Sequence, residues 1–351
     1  MSNGVRAIDA DGHIMEHAQE LRQFLAPPYD VLPWTTYSPF PSLDGWIRGF
    51  GRPTKEDDPD AATWIAFLDR NGIEESFLYP TGGLAFGLLQ DGDFAVALAR
   101  AYNRWVHHYF MEKSPRLKAL ALLPVQRPTA AVEELRFAVE ELGMPGGVLP
   151  SINSTGRFYG RDEFHPIYAE AERLGVPLAT HGAPSQRMGL DFSDSYIMTH
   201  TLEHPLIQIT QFTSMMYGGV FELFPRLRVA FLEAGIGWVP FMMDRMDEEF
   251  ERRGQRGAQR LTKLPSAYVR EGNLYFTCEV EEKTLPMAIE IVGEDRIFFA
   301  SDYPHERRRD EFGSDIPSFV ERQDITAQQK DKILYQNARR FYTGAPVPAA
   351  R

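Results

Sequence analysis

At 351 residues, with 43% hydrophobic and 25% charged side chains, the chain can bury a sizeable core, and this composition excludes wholesale disorder. Its 37 basic against 49 acidic residues leave a formal charge of −12 with the basic groups scattered, which argues against nucleic acid or an anionic membrane as partner. A single cysteine, Cys278, excludes an internal disulfide and a thiolate metal cluster and fits a reducing, cytoplasmic compartment.

The first residues lack the apolar stretch of a signal peptide, and no unbroken apolar run approaches about 18 residues, so neither export nor a membrane span is expected. Short apolar runs, each ending in a polar residue, alternate with amphipathic stretches, which is the rhythm of βα units. Strands are predicted at 5–10, 75–79, 117–123, 147–149, 177–180, 207–209, 228–232, 273–277 and 296–300. Helices are predicted at 61–71, 94–113, 129–142, 166–174, 239–252, 285–291 and 327–341, the last with Thr326 as N-cap. Nine strands exceed the eight places of a barrel, and the surplus is expected at 207–209, because 207–216 also reads as a helix. The expectation is one α/β domain over 1–351, with 27–60 as a lid-like insertion after the first strand. That insertion is rich in proline, glycine and aromatics, including Trp34, Tyr37, Phe40, Trp46 and Phe50, and its aromatic content argues against disorder.

Four strand ends carry ligand-type side chains. In the first run, extended alternation would put Asp9, Asp11 and His13 on one side, so that Asp11 and His13 can share an ion. An apolar strand then runs directly into His181-Gly182, another into Glu233-Ala234-Gly235, and a third into Asp302-Tyr303-Pro304-His305. Any one alone is weakly specific: a lone histidine is more often a satisfied buried residue, and a lone carboxylate more often half of a salt bridge. Four together form a nitrogen-and-oxygen set suited to a divalent transition metal. The glycines after Glu233 could also open a helix N-terminus toward an anionic substrate group.

These segments resemble the amidohydrolase superfamily, in the amidohydrolase-2 branch that includes aminocarboxymuconate-semialdehyde decarboxylase and related aromatic-acid decarboxylases. The resemblance spans 8–341 and rests on Asp11-x-His13, Thr180-His181-Gly182, Phe224-Pro225-Arg226-Leu227 leading into Leu232-Glu233-Ala234-Gly235, and Ala300-Ser301-Asp302-Tyr303-Pro304-His305. It implies a distorted (β/α)8 TIM barrel with a divalent ion (Zn, Mn or Fe) at the C-terminal strand ends. His13, His181 and Asp302 match expected ligands, whereas Asp11 and Glu233 stand where histidines are usual. The site is thereby richer in oxygen, which suits iron or manganese as well as zinc, and one ion or two. Glu16 and His305, close to these ligands, are candidates for a further ligand, a supporting partner or a proton shuttle. His204, in a His-Pro pair, is a candidate catalytic group, with His200 behind it. His17, His107, His108 and His165 are assigned to structure or surface.

The resemblance implies a metal-dependent hydrolase or decarboxylase acting on a small molecule, an aromatic or polycyclic carboxylic acid. Asp302 would carry the proton, His204 or His305 would assist, and Arg187 would clamp the carboxylate. It also implies a homo-oligomer, a dimer. A rival reading places one or two iron ions in the same barrel as an oxygenase, with the insertion and Met215-Met216-Tyr217 enclosing a bulky apolar substrate. A third reading, a binding module without catalysis, conflicts with four ligand-type strand ends.

Overall fold

In a computed structural model describing residues 5–31, 40–41, 58–183, 188–305 and 315–344, every paired strand runs parallel to its neighbours and helices fill the intervals. The strands are β1 (Ala7–Ile14), β2 (Ile73–Pro80), β3 (Leu117–Ala119), β4 (Ala121–Leu122), β5 (Gly147–Pro150), β6 (Leu178–His181), β7 (Val229–Leu232), β8 (Leu274–Cys278) and β9 (Ile297–Phe299). They form two sheets, β1-β2-β3 and β4 through β9 in chain order. β3 and β4 occupy one barrel place, interrupted only at Leu120. The Leu120 N–H donates to Leu78 O at 3.0 Å, and the next N–H, of Ala121, turns to Gly146 O at 2.9 Å. The outer edges are linked as well: Asp302 N–H donates to Asp11 O at 3.0 Å and His13 N–H to Tyr303 O at 2.7 Å. The architecture is the distorted (β/α)8 barrel, and those last two bonds tie its ends together beside the strand-end carboxylates.

β5, β6 and β7 are buried at every position, as expected of parallel strands covered on both faces. β1 is buried throughout too, although its sequence carries Asp9, Asp11 and His13. It runs four residues beyond the strand expected at 5–10, which draws Asp11 and His13 inside the barrel wall.

Residues 207–209 are not a strand. They lie within a helix, Tyr196–Tyr217, whose Ile207, Gln208, Gln211, Phe212 and Met215 are buried at helical spacing. Gln208 ties this helix to the barrel, accepting from Thr180 Oγ1 at 2.7 Å and donating to Leu232 O at 3.1 Å. The helix expected at 327–341 is three consecutive pieces, Ala327–Asp331, a π-helical Lys332–Gln336 and Asn337–Thr343. Thr326 caps it as expected, in a reciprocal box with Gln329. Of the insertion, only 27–31, 40–41 and 58–60 are described; there Phe40 is buried with its ring 6.3 Å from Phe86 and 6.4 Å from Tyr102. Trp34, Tyr37, Trp46 and Phe50 lie outside the described residues. No helix among the described residues is long and apolar enough to cross a membrane.

Candidate metal centre

Asp9 does not share the face expected of it. Register shifts between Ala7 and Asp9 and between Asp9 and Gly12 break simple alternation in β1. Asp9 therefore bonds within the wall, accepting from Ser76 Oγ at 2.6 Å, Ser301 N at 2.8 Å and Ser301 Oγ at 2.9 Å. Burial nevertheless pushes its carboxyl up to about 6.

Asp11 and His13 do converge with His181. The His181 Nε2 lies 3.1 Å from His13 Nε2 and 3.2 Å from Asp11 Oδ2, while His13 Nε2 is 3.6 Å from Asp11 Oδ1 and 3.4 Å from Asp302 Oδ1. The other ring nitrogens fix the tautomers. His13 Nδ1 faces Pro80 O at 3.0 Å and His181 Nδ1 faces Gly182 O at 2.7 Å, and a carbonyl only accepts, so each Nδ1 carries hydrogen. Burial holds His13 well below the usual imidazole range, so its Nε2 presents a lone pair. Burial also works against charge on His181, but Asp11, the Gly182 carbonyl and Asp302 together outweigh it and the net direction is upward. Asp11 Oδ1 is buried with no hydrogen-bond donor among the described residues.

Two imidazole nitrogens and carboxylate oxygens thus face one another and require positive charge between them. The residues present fit a divalent transition ion, because such an ion takes lone pairs from both rings and the orphaned oxygen of Asp11 together.

Glu233 and Asp302 follow the ends of β7 and β9, and both take left-handed backbone with φ of 51°, where, among the described residues, every other positive-φ residue is glycine. Such a conformation in a side chain of this size persists where the surroundings impose it, as they do at functional sites. Glu233 Oε2 lies 3.2 Å from His181 Nδ1 and 3.7 Å from His204 Nε2. The floor formed by His13, His181 and Asp11 is closed to solvent, while the Glu233 and Asp302 side chains are 21% and 33% exposed, so the cluster opens on the carboxylate side.

His305 stands behind Asp302. Its Nδ1 is 2.9 Å from Asp302 Oδ1, its Nε2 2.9 Å from Thr81 Oγ1, and its ring stacks on His13 at 3.9 Å. Thr81 was not singled out from sequence, although its place immediately after β2, at a C-terminal strand end, was a usable signal. His204 reaches the site because Gly182 lets it approach: a Cβ there would lie 2.4 Å from His204 Cδ2 and 2.8 Å from Glu233 O. Burial lowers the His204 ring to about 3.

Four expectations are not met. Glu233, expected to share the ion with Asp11, His13 and His181, meets the Nδ1 edge of His181 and not the Nε2 edge that faces His13 and Asp11. Glu16 is turned from the ion cluster, its oxygens accepting from Gly82 N at 2.8 Å and Gly83 N at 2.9 Å, and burial raises its carboxyl to about 7. The amides after Glu233 are not open to an anionic substrate. Glu282 occupies them, accepting from Gly237 N at 2.7 Å and Ile236 N at 3.0 Å. Met215 and Met216 are fully buried core residues, and Tyr217 donates to Met246 O at 3.0 Å, so this segment does not frame a substrate chamber. Arg187 lies outside the described residues.

A sequence model of the amidohydrolase family matches residues 8–344. The chain is 29% identical over 285 residues to a 2-amino-3-carboxymuconate-6-semialdehyde decarboxylase of Dictyostelium discoideum, covering 81% of this chain and 76% of the relative. It is also 29% identical over 300 residues to a gamma-resorcylate decarboxylase of Rhizobium sp., covering 80% and 86%. Among solved structures, it resembles a dihydroxybenzoic acid decarboxylase of Polaromonas sp. with bound manganese and the inhibitor 2-nitroresorcinol. That likeness has a TM-score of 0.70 and 22% identity over 97% of each chain, and it shows the fold.

Proposed function

The chain belongs to the amidohydrolase family, and on that premise we propose that it is a metal-dependent decarboxylase of an aromatic or polycyclic carboxylic acid. The observation that carries this reading is the buried convergence of His13 Nε2, His181 Nε2 and Asp11, 3.1 to 3.6 Å apart and short of positive charge. The relatives described above are decarboxylases, which supports this reading over the oxygenase.

Asp11, His13, His181 and Asp302 would hold the ion, and the oxygen-rich donor set suits manganese or iron as well as zinc. When bound, the ion supplies positive charge that draws the substrate carboxylate with its neighbouring hydroxyl or carbonyl oxygen and stabilises negative charge developing there. Asp302 sits on the open side of the cluster and, in its acid form, delivers the proton. That proton goes to the ring carbon bearing the carboxylate. The bond to the carboxylate then breaks, carbon dioxide leaves, and the bonding electrons return to the ring. His305, 2.9 Å behind Asp302 and anchored by Thr81, sets the direction in which that carboxyl faces. His204 faces the same opening beside Glu233. Arg187, a few residues past His181, is proposed as the clamp for the substrate carboxylate, the role a guanidinium fork suits.

Elemental analysis of the purified protein, followed by a panel of hydroxybenzoic acids assayed anaerobically for carbon dioxide release, tests the reading. Metal-dependent release lost in both His181→Ala and Asp302→Asn is the expected result. No release from any acid, together with substrate-dependent dioxygen consumption in a parallel aerobic assay, would overturn it in favour of the oxygenase.

A further inference from the structure

The helix Tyr196–Tyr217 brings a second group of metal-ligand side chains to the same mouth. His200, Glu203 and His204 occupy positions i, i+3 and i+4, within about 100° of arc, so their side chains share one helix face. One donor atom from each lies within 4.8 Å of the others, so a small side-chain adjustment would bring all three onto a single ion. Glu203 is only 3% exposed, and the rings of His200 and His204 are 5.0 Å apart. A fourth donor comes from the barrel: Glu233 Oε2 is 3.7 Å from His204 Nε2. That is too long for a hydrogen bond but close to the roughly 3.4 Å between two ligands placed tetrahedrally on an ion with bonds of about 2.1 Å. The approach is built into the backbone. Gly182 leaves room for the His204 ring where any Cβ would meet it, and Glu233 holds left-handed backbone to present its carboxylate there.

The geometry points to a second divalent-cation site made by His200, Glu203 and His204 and completed by Glu233. Glu233 stands between the two groups, with the same oxygen 3.2 Å from His181 Nδ1, so an ion at the second site would sit beside the first cluster and share its opening. Two imidazoles and two carboxylates suit a first-row transition ion rather than magnesium or calcium. The remaining group, His13 with Asp302 and His305, makes no separate site, because the one available nitrogen of His13 already faces Asp11 and His181. This proposal extends the metal reading of the first cluster, which stands without it.

Titration of the chelator-treated full-length protein with Co2+, followed by visible absorbance and by metal content per chain, tests it. Two Co2+ per chain are expected in the wild-type protein. One is expected in His200→Ala/Glu203→Gln, with the absorbance of the first cluster retained. Since Glu203 is buried, His200→Asn provides a milder variant, in which the weaker Co2+ site should lose affinity about tenfold or more with an unchanged circular dichroism spectrum. One Co2+ per wild-type chain would overturn the second site alone. Retention of two in the double variant, or unchanged affinity in His200→Asn, would also overturn it. Failure to bind any Co2+ would overturn the metal reading of both groups.

Discussion

Asp9 accepts both hydrogen bonds that Ser301 can donate, from its N–H at 2.8 Å and its Oγ at 2.9 Å, across a sequence separation of 292 residues. The contact fastens β1 to the residue that precedes Asp302. With the backbone bonds Asp302 N to Asp11 O and His13 N to Tyr303 O, it holds three cluster residues in one rigid seam. Asp9→Ala should therefore leave the Ser301 amide and two buried hydroxyls without acceptors and cost about 2–4 kcal/mol. Denaturant unfolding measures the loss, and a cost under about 0.5 kcal/mol would show that the seam does not depend on Asp9.

Gly182→Ala would drive a Cβ toward His204 and the Glu233 carbonyl. Because one obstacle is the Glu233 carbonyl, relief requires a shift of the turn after β7 as well as of the His204 side chain, and a destabilisation of about 1–3 kcal/mol is expected, with a lower kcat. A variant that unfolds at the wild-type denaturant midpoint and turns over normally would contradict the close packing.

Glu282→Ala should loosen the turn that presents Glu233. The Ile236 and Gly237 amides lose their acceptor, at a cost of about 1–3 kcal/mol, and amide hydrogen exchange at 236–237 should accelerate. Unchanged exchange there would show that another group caps the turn.

Glu16 makes a pH-dependent contribution whose sign is fixed by its raised pKa. Folding favours its protonated form, so the stabilisation is full below the ordinary value of 4.5 and fades as pH climbs through about 7. The difference in unfolding free energy between wild type and Glu16→Gln should thus shift against the wild type between pH 4.5 and 7. The shift is about 2 kcal/mol after allowance for the partial exposure of the side chain. A constant difference across that window would refute it.

Most of the barrel was legible in the chain because buried parallel strands read as short apolar runs, and eight of the nine expected strands are present. The run at 207–209 misled because three residues hold too little periodicity to separate a strand from a buried helix turn. His181, Glu233 and Asp302 were readable as strand-end polar residues. The fates of Asp9, Glu16 and Glu282 were not. A bulge in β1 turned Asp9 into the wall, backbone amides claimed Glu16, and Glu282 reached amides some 45 residues away in sequence.

The sequence alone determined the βα rhythm and the supply of ligand-type side chains at strand ends, since both are local properties of residue order and type. Only the tertiary structure decided which of those groups meet. Whether a carboxylate faces an ion cluster, a serine or a helix cap depends on a register shift, a left-handed φ or the room left by one glycine, and each is set by neighbours distant in the chain.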